Sequence, residues 1–132
     1  MKEKISMITL GVQDLKKSAD FYRKLGFKPD EKNDGVVFIK LKNIRLSLFP
    51  WKELAKDATV PSKGSGFRGF SLAHNVKSAK EVDAILAHAK KSGAKIIKPG
   101  QKVFWGGYSG YFADLDGFLW EVAWNPFMKD LL

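Results

Sequence analysis

The stretch ITLGVQDLKKSADFYRKLGF, residues 8–27, predicts a strand followed by a helix. In its first part Ile8, Leu10 and Val12 alternate with other residues and therefore share one side of an extended chain. From about Asp14 onward the apolar residues recur at helical spacing, which predicts an amphipathic helix. Gly26 suits the left-handed residue that ends many helices, so the helix is expected to stop there.

The order strand, helix, strand, strand, strand occurs twice in the chain. After the first helix come a short extended segment and a hairpin, with strands predicted over 36–41 and 44–49. The second copy has a strand over 69–76, a helix over 77–92 and strands over 94–99, 110–114 and 118–124. The modules extend over about residues 4–57 and 67–127, and the Pro- and Gly-rich stretch 58–66 links them. A module of about 60 residues is marginal alone, so we expect one α+β domain built from both.

The composition argues against several classes of protein. The 132 residues include no cysteine, so disulfides and thiolate chemistry are excluded. There is no run of about 18 apolar residues and no signal-peptide pattern, so neither a membrane span nor secretion is predicted, and a cytoplasmic location is expected. The formal charge is +9, but the basic residues are scattered, which does not predict nucleic-acid binding. The charge would still raise the local concentration of anionic small molecules.

The two modules, the opening stretch and the closing segment FADLDGFLWEV, residues 112–122, resemble the vicinal oxygen chelate superfamily. That group includes glyoxalase I, bleomycin-resistance proteins, fosfomycin-resistance enzymes and ring-cleaving extradiol dioxygenases. The resemblance covers nearly the whole chain. It implies a fold of two βαβββ modules whose curled mixed sheets surround a cavity. It also implies pairing of chains, so a homodimer is expected, with the apolar residues of the C-terminal tail at the interface.

Members of that superfamily usually hold a divalent metal with four side chains drawn from His, Glu and Gln. Strand alternation assigns these positions here to Met7, Ser47, Gly69 and Glu121. Methionine is a soft donor, a serine hydroxyl is a poor unaided ligand, and glycine offers no side chain. The histidines at 74 and 88 are expected at the surface or against a helix. We therefore predict that the chain lacks the metal site and needs no metal cofactor.

Glu121 interrupts the otherwise apolar strand FLWEVAW, residues 118–124. An ionised carboxylate in such surroundings is costly unless it is paired, hydrogen-bonded or bound to a metal. Three interpretations stay open. The carboxylate could be structural, paired with Arg45 or bonded to a hydroxyl or a backbone N–H. It could handle a ligand and act as a general base, or it could take part in a residual metal site.

The segment VFWGGYSGYF, residues 103–112, places Trp105 and Tyr111 beside glycines. Large rings at such positions could line a small-molecule pocket, or they could fill a core or a dimer interface.

The sequence favours a metal-independent protein of the glyoxalase/bleomycin-resistance kind that binds a small organic molecule between its modules. Glu121 is the catalytic candidate, and the predicted ligand contacts are Arg45, Ser47, Phe49, Trp105 and Tyr111. The alternative is a lyase or isomerase of the lactoylglutathione lyase type that uses Glu121 as base or residual metal ligand. Neither nucleic acid nor a membrane is expected as a partner.

Overall fold

The computed structural model describes residues 6–59, 61–64, 66–68 and 70–128. The chain divides into two compact units, Met1–Ser65 and Gly66–Leu132. Each unit contains a four-stranded sheet in which one strand pair is parallel and the other pairs are antiparallel. The predicted α+β fold of two strand-helix-strand-strand-strand modules is therefore confirmed. None of the helices in these described ranges is long and apolar enough to cross a membrane.

The N-terminal unit has the strand order β1-β4-β3-β2. Its elements are β1 (Met7–Val12), α1 (Leu15–Lys24), β2 (Pro29–Asp30), β3 (Val37–Lys40), β4 (Arg45–Pro50) and α2 (Trp51–Asp57). Asp14 caps the start of α1, where its carboxylate accepts a hydrogen bond from the Lys17 N–H, and Gly26 follows the last turn with φ +102°. The helix packs on the sheet face that carries Leu10, Leu46 and Leu48, which are fully or almost fully buried.

Helix α2 is a difference from the sequence-based prediction, which assigned no helix to the residues between the fourth strand and the end of the module at about residue 57. The helix has only seven residues, too few to give a clear helical period. Its position depends on Gly11, because a Cβ there would lie 3.3 Å from Leu54 Cδ2 and from the Trp51 ring. The Trp51 Nε1–H also donates to the Ser62 carbonyl oxygen at 2.7 Å. Packing against Gly11 of β1, rather than local helix propensity, therefore determines the position of this helix.

The C-terminal unit has the strand order β5-β8-β7-β6. Its elements are β5 (Leu72–Asn75), α3 (Ala79–Ser92), β6 (Lys95–Lys102), β7 (Tyr108–Ala113) and β8 (Leu119–Trp124). Ser78 caps the start of α3, where its hydroxyl accepts from the Glu81 N–H at 3.2 Å, and Gly93 caps the end with φ +110°. Strand β6 continues past Pro99, where the sequence predicted its end.

The core of the C-terminal unit lies between α3 and one face of its sheet. Val82 and Leu86 of the helix are buried, and so are the stacked rings of Phe112 and Trp120, whose centroids are 6.1 Å apart. The β7–β8 turn is closed by the buried Asp114, whose Oδ1 accepts from the backbone N–H groups of residues 116 and 118 at 2.9 Å each. This turn sets the register of β8 against β7, and that register decides which residues lie opposite Glu121.

Candidate functional site

The candidate site is built on the sheet face of the C-terminal unit that points away from α3. A Cβ at Gly110 would meet Leu86 of α3, so Gly110 points toward the helix. Successive side chains of a strand alternate between faces, so Ser109 and Tyr111 point away from it. The strand register then places four residues in one row across the sheet: Lys98 on β6, Tyr111 on β7, Glu121 on β8 and Ala73 on β5. A cation, a phenol and a carboxylate therefore lie side by side on this face.

Tyr111 and Glu121 are directly opposite each other on β7 and β8. Burial raises the pKa of the Tyr111 hydroxyl above the ordinary 10.0, and the neighbouring Glu121 carboxylate raises it further. The neighbouring Ser71 hydroxyl acts in the opposite direction and lowers this pKa. At neutral pH the phenol therefore keeps its proton, and a hydroxyl donor lies beside the carboxylate.

A cleft of about 310 Å³ opens beside this pair. Its lining includes Tyr111, Glu121 and Trp105, together with Lys98, Gln101 and Ser109. The Lys98 ammonium lies 5.8 Å from the centroid of the Tyr111 ring, within the range of a cation–π contact. The cleft thus combines aromatic surface with a few polar groups, which is the usual composition of a small-molecule site.

The structure brings together three of the six predicted site residues, namely Trp105, Tyr111 and Glu121. The other three, Arg45, Ser47 and Phe49, lie on β4 of the N-terminal unit. Ser47 is buried, and its hydroxyl donates to Thr9 Oγ1 at 2.8 Å. Arg45 is exposed and Phe49 is half-buried. The residue that the structure places directly opposite Glu121 is Tyr111.

Sequence reasoning missed Lys98 and Ser71 as members of the site. Ser71 could have been found, because it lies two residues before Ala73, and strand alternation gives both residues the same face. Lys98 could not, because β6 shifts its register against β7 on either side of this residue. Tyr108 differs in another way: it begins β7 and donates from its hydroxyl to Asp83 of α3 at 3.0 Å, so it belongs to the helix side.

The residues at the four family metal positions do not fit a divalent metal. Ser47 donates its hydroxyl proton to Thr9, Met7 is 41% exposed and offers only a thioether, and Glu121 is the single carboxylate of the four residues. Gly69 lies outside the described residues. Across the described ranges no group of three or more His, Cys, Asp and Glu side chains is arranged to hold a metal ion.

Comparison with known proteins identifies the family. The sequence model of one protein family, the Glyoxalase/Bleomycin resistance protein/Dioxygenase superfamily, matches residues 4–122. The chain belongs to this superfamily. No curated protein matches the chain.

Solved structures of similar fold agree with this assignment. A glyoxalase-related enzyme from Fulvimarina pelagi is 33% identical, with a TM-score of 0.84 over 94% of this chain and 89% of that one. A hypothetical protein from S. aureus is 26% identical, with a TM-score of 0.83 over 95% of each chain. A lactoylglutathione lyase from Agrobacterium tumefaciens is 23% identical, with a TM-score of 0.71 over 96% of this chain and 97% of that one, and shows the fold alone.

Proposed function

We propose that this superfamily member binds a small organic molecule in the cleft over Tyr111 and Glu121, without the help of a metal. The observation that carries the proposal is the placement of Tyr111 opposite Glu121 on the wall of a cleft of about 310 Å³. That volume is at the lower end of the range of small-molecule sites, about 300–1,000 Å³. A carboxylate at such a wall has acceptor capacity for a hydroxyl or amine of the ligand.

The aromatic side chains would supply the remaining contacts. Trp105 and Tyr111 offer ring faces to a flat or apolar ligand, and stacked or edge contacts of this kind contribute about 0.5–1.5 kcal/mol beyond area burial. The polar groups would then fix the orientation of the ligand. The chemistry of the donor set at the family metal positions supports a metal-independent mode of binding.

A ligand screen read by tryptophan fluorescence tests this proposal. We expect a bound compound to quench the wild-type emission, and the quenching to be largely lost in Trp105→Phe. Trp51→Phe is the matched control, because Trp51 lies on α2 of the N-terminal unit and its loss should leave the quenching intact. Glu121→Gln should weaken binding while the fold is retained. Quenching that survives in Trp105→Phe and Glu121→Gln would contradict the proposed site.

Calorimetric titration with zinc, nickel, manganese and iron tests the metal-independent part separately. We expect no stoichiometric, tight binding, and a ligand affinity that is the same before and after treatment with a chelator. Stoichiometric binding that disappears in Glu121→Gln would show that the carboxylate does serve a metal and would overturn this part of the proposal.

A lyase or isomerase of the lactoylglutathione lyase type is the second candidate. It is favoured by the similarity to a glyoxalase-related enzyme from Fulvimarina pelagi at 33% identity. In that role Glu121 would take a proton from the carbon beside a carbonyl and return it to the neighbouring carbon, with Tyr111 positioning the carboxylate. Turnover of a hemithioacetal that is unchanged by chelator and abolished in Glu121→Gln would support this candidate. Turnover that persists in Glu121→Gln would exclude Glu121 as the base.

A homodimer is part of the same proposal. Phe127 and Met128, in the apolar tail expected at the interface, are 76% and 45% exposed and so are available to pack against a second chain. Sedimentation at micromolar concentration should give the mass of two chains, and Phe127→Ser should shift it toward one. A wild-type mass of one chain would contradict the proposal.

A further inference from the structure

The polar row across the C-terminal sheet carries opposite charges on the two sides of Tyr111. Lys98 lies opposite Tyr111 on one side, and Glu121 lies opposite it on the other. Neighbouring strands are about 4.8 Å apart, so the backbones at Lys98 and Glu121 are separated by about 10 Å. A molecule lying over the Tyr111 ring would therefore have a cation near one end and a carboxylate near the other.

The Lys98 ammonium is held at the cleft by the aromatic ring. Its Nζ is 5.8 Å from the centroid of the Tyr111 ring, and the partly buried side chain lines the cleft. No ion pair engages this ammonium within the part of the chain that the structure describes. Because it has no carboxylate partner there, its charge is available to an anionic group in the cleft.

We infer that the ligand is a small organic anion that also carries a hydrogen-bond donor. Its anionic group pairs with Lys98, its flat body lies over Tyr111 and beside Trp105, and its hydroxyl or amine donates to Glu121. The inference rests on the proposed function and names the chemical class of its ligand. Lys98 and Lys102 outnumber the single carboxylate in the cleft lining, and the whole chain carries a formal charge of +9. Both facts favour an anion over a cation.

The donor at the other end follows from Glu121. An anion without such a donor would take water away from the Glu121 carboxylate and give it no hydrogen bond in return, which costs binding free energy. A donor turns the same contact into a charge-assisted hydrogen bond. The two ends of the cleft therefore select for the same molecule in different ways, one by charge and the other by hydrogen bonding.

A panel of three matched benzoates and one aromatic amine tests the inference on the full chain. The probes are para-hydroxybenzoate, its methyl ester, benzoate and tyramine, with binding measured by tryptophan quenching and calorimetry. We expect para-hydroxybenzoate to bind tightest, with the ester weaker by about tenfold and benzoate by about fivefold, as expected for the loss of one charge-assisted contact each. Tyramine should bind weakest.

Two variants distinguish a pairing of the ligand with Lys98 from an effect of the overall charge of the protein. Lys98→Gln should weaken para-hydroxybenzoate by about tenfold and leave the ester almost unchanged. Lys95→Gln removes the same charge from the same strand at a residue outside the cleft lining, and it should have little effect. Equal effects of the two variants would show that only the net charge of the protein matters and would overturn the assignment to Lys98.

The panel also distinguishes failure of this inference from failure of the proposed function. Preferential binding of the ester or of tyramine, with the signal lost in Trp105→Phe, overturns the anion class but leaves a small-molecule site. The same conclusion follows if no benzoate binds while other compounds in a chemically mixed screen quench Trp105. If no compound of either set gives a signal that depends on Trp105, both the inference and the proposed function are wrong.

Discussion

Replacement of Gly110 by alanine tests how closely β6 approaches β7 beneath the candidate site. A Cβ at this position would lie 2.6 Å from Leu86 Cδ1, 2.8 Å from the Lys98 carbonyl oxygen and 2.9 Å from the Gly100 nitrogen. Two of these three atoms belong to the backbone of β6, so a change of side-chain rotamer cannot relieve the contact. Ordinary van der Waals contact begins near 3.4 Å, so the Lys98 carbonyl would have to move by about 0.6 Å.

The magnitude follows from two opposing effects. Overpacking of a well-packed core costs about 1–3 kcal/mol, and the upper half of this range applies because the backbone has to move. Alanine recovers about 0.5–1 kcal/mol, since glycine loses more conformational freedom when the chain folds. We therefore expect Gly110→Ala to lower the free energy of unfolding by about 2 kcal/mol, which corresponds to a fall in Tm of about 6–10 °C for a domain of this size.

The assay is urea denaturation followed by circular dichroism, together with ligand binding by the folded variant. Gly117→Ala is the control, because no atom lies within 4 Å of a Cβ at Gly117 and its cost comes only from the φ of +86°. Both variants should lose stability, but only Gly110→Ala should weaken binding, because it displaces Lys98 from Tyr111. A loss below about 0.5 kcal/mol for Gly110→Ala would refute the reasoning, since overpacking against backbone atoms would then have no cost.

Three further predictions each concern one polar side chain. The pKa of Tyr111 is raised in the folded protein, so the contribution of this phenol to stability is complete below pH 10.0 and is lost as the pH rises through the higher folded-state pKa. Spectrophotometric titration of wild type and Tyr111→Phe should show one late-ionising phenol missing from the variant. Asp114→Ala should cost about 2 kcal/mol in urea denaturation, since two backbone N–H groups lose their acceptor, whereas Asp114→Asn should cost less. Ser47→Ala should cost no more than about 1 kcal/mol, because Thr9 is exposed and can bond to water; a larger loss would indicate an additional role for the hydroxyl.

The longer elements could be predicted because their signals are local. Asp14 and Ser78 accept hydrogen bonds at the starts of α1 and α3, and the glycines at 26 and 93 take the left-handed conformation at the ends. Helix α2 was missed because seven residues give no period, and its stability comes from packing on Gly11. Strand β6 was predicted too short because Pro99 indicated an end, although a strand at the edge of the sheet can include a proline.

Part of the candidate site could be deduced from the sequence, and part depends on the strand register in the folded chain. The alternation of β8 separates Glu121 from Trp120 and Val122, which are buried, so the face that carries the carboxylate could be deduced from the sequence alone. The identity of its neighbours could not. The Asp114 turn sets the pairing of Tyr111 with Glu121, and the shifted register of β6 sets that of Lys98 with Tyr111.

The sequence by itself determined the two modules, the class of fold and the odd carboxylate on an apolar strand, because side-chain periodicity and capping are properties of consecutive residues. Only the tertiary structure decided that this carboxylate meets a phenol and, beyond it, an ammonium. Residues 98, 111 and 121 become neighbours only through strand register, and a shift of one residue would turn each side chain to the other face.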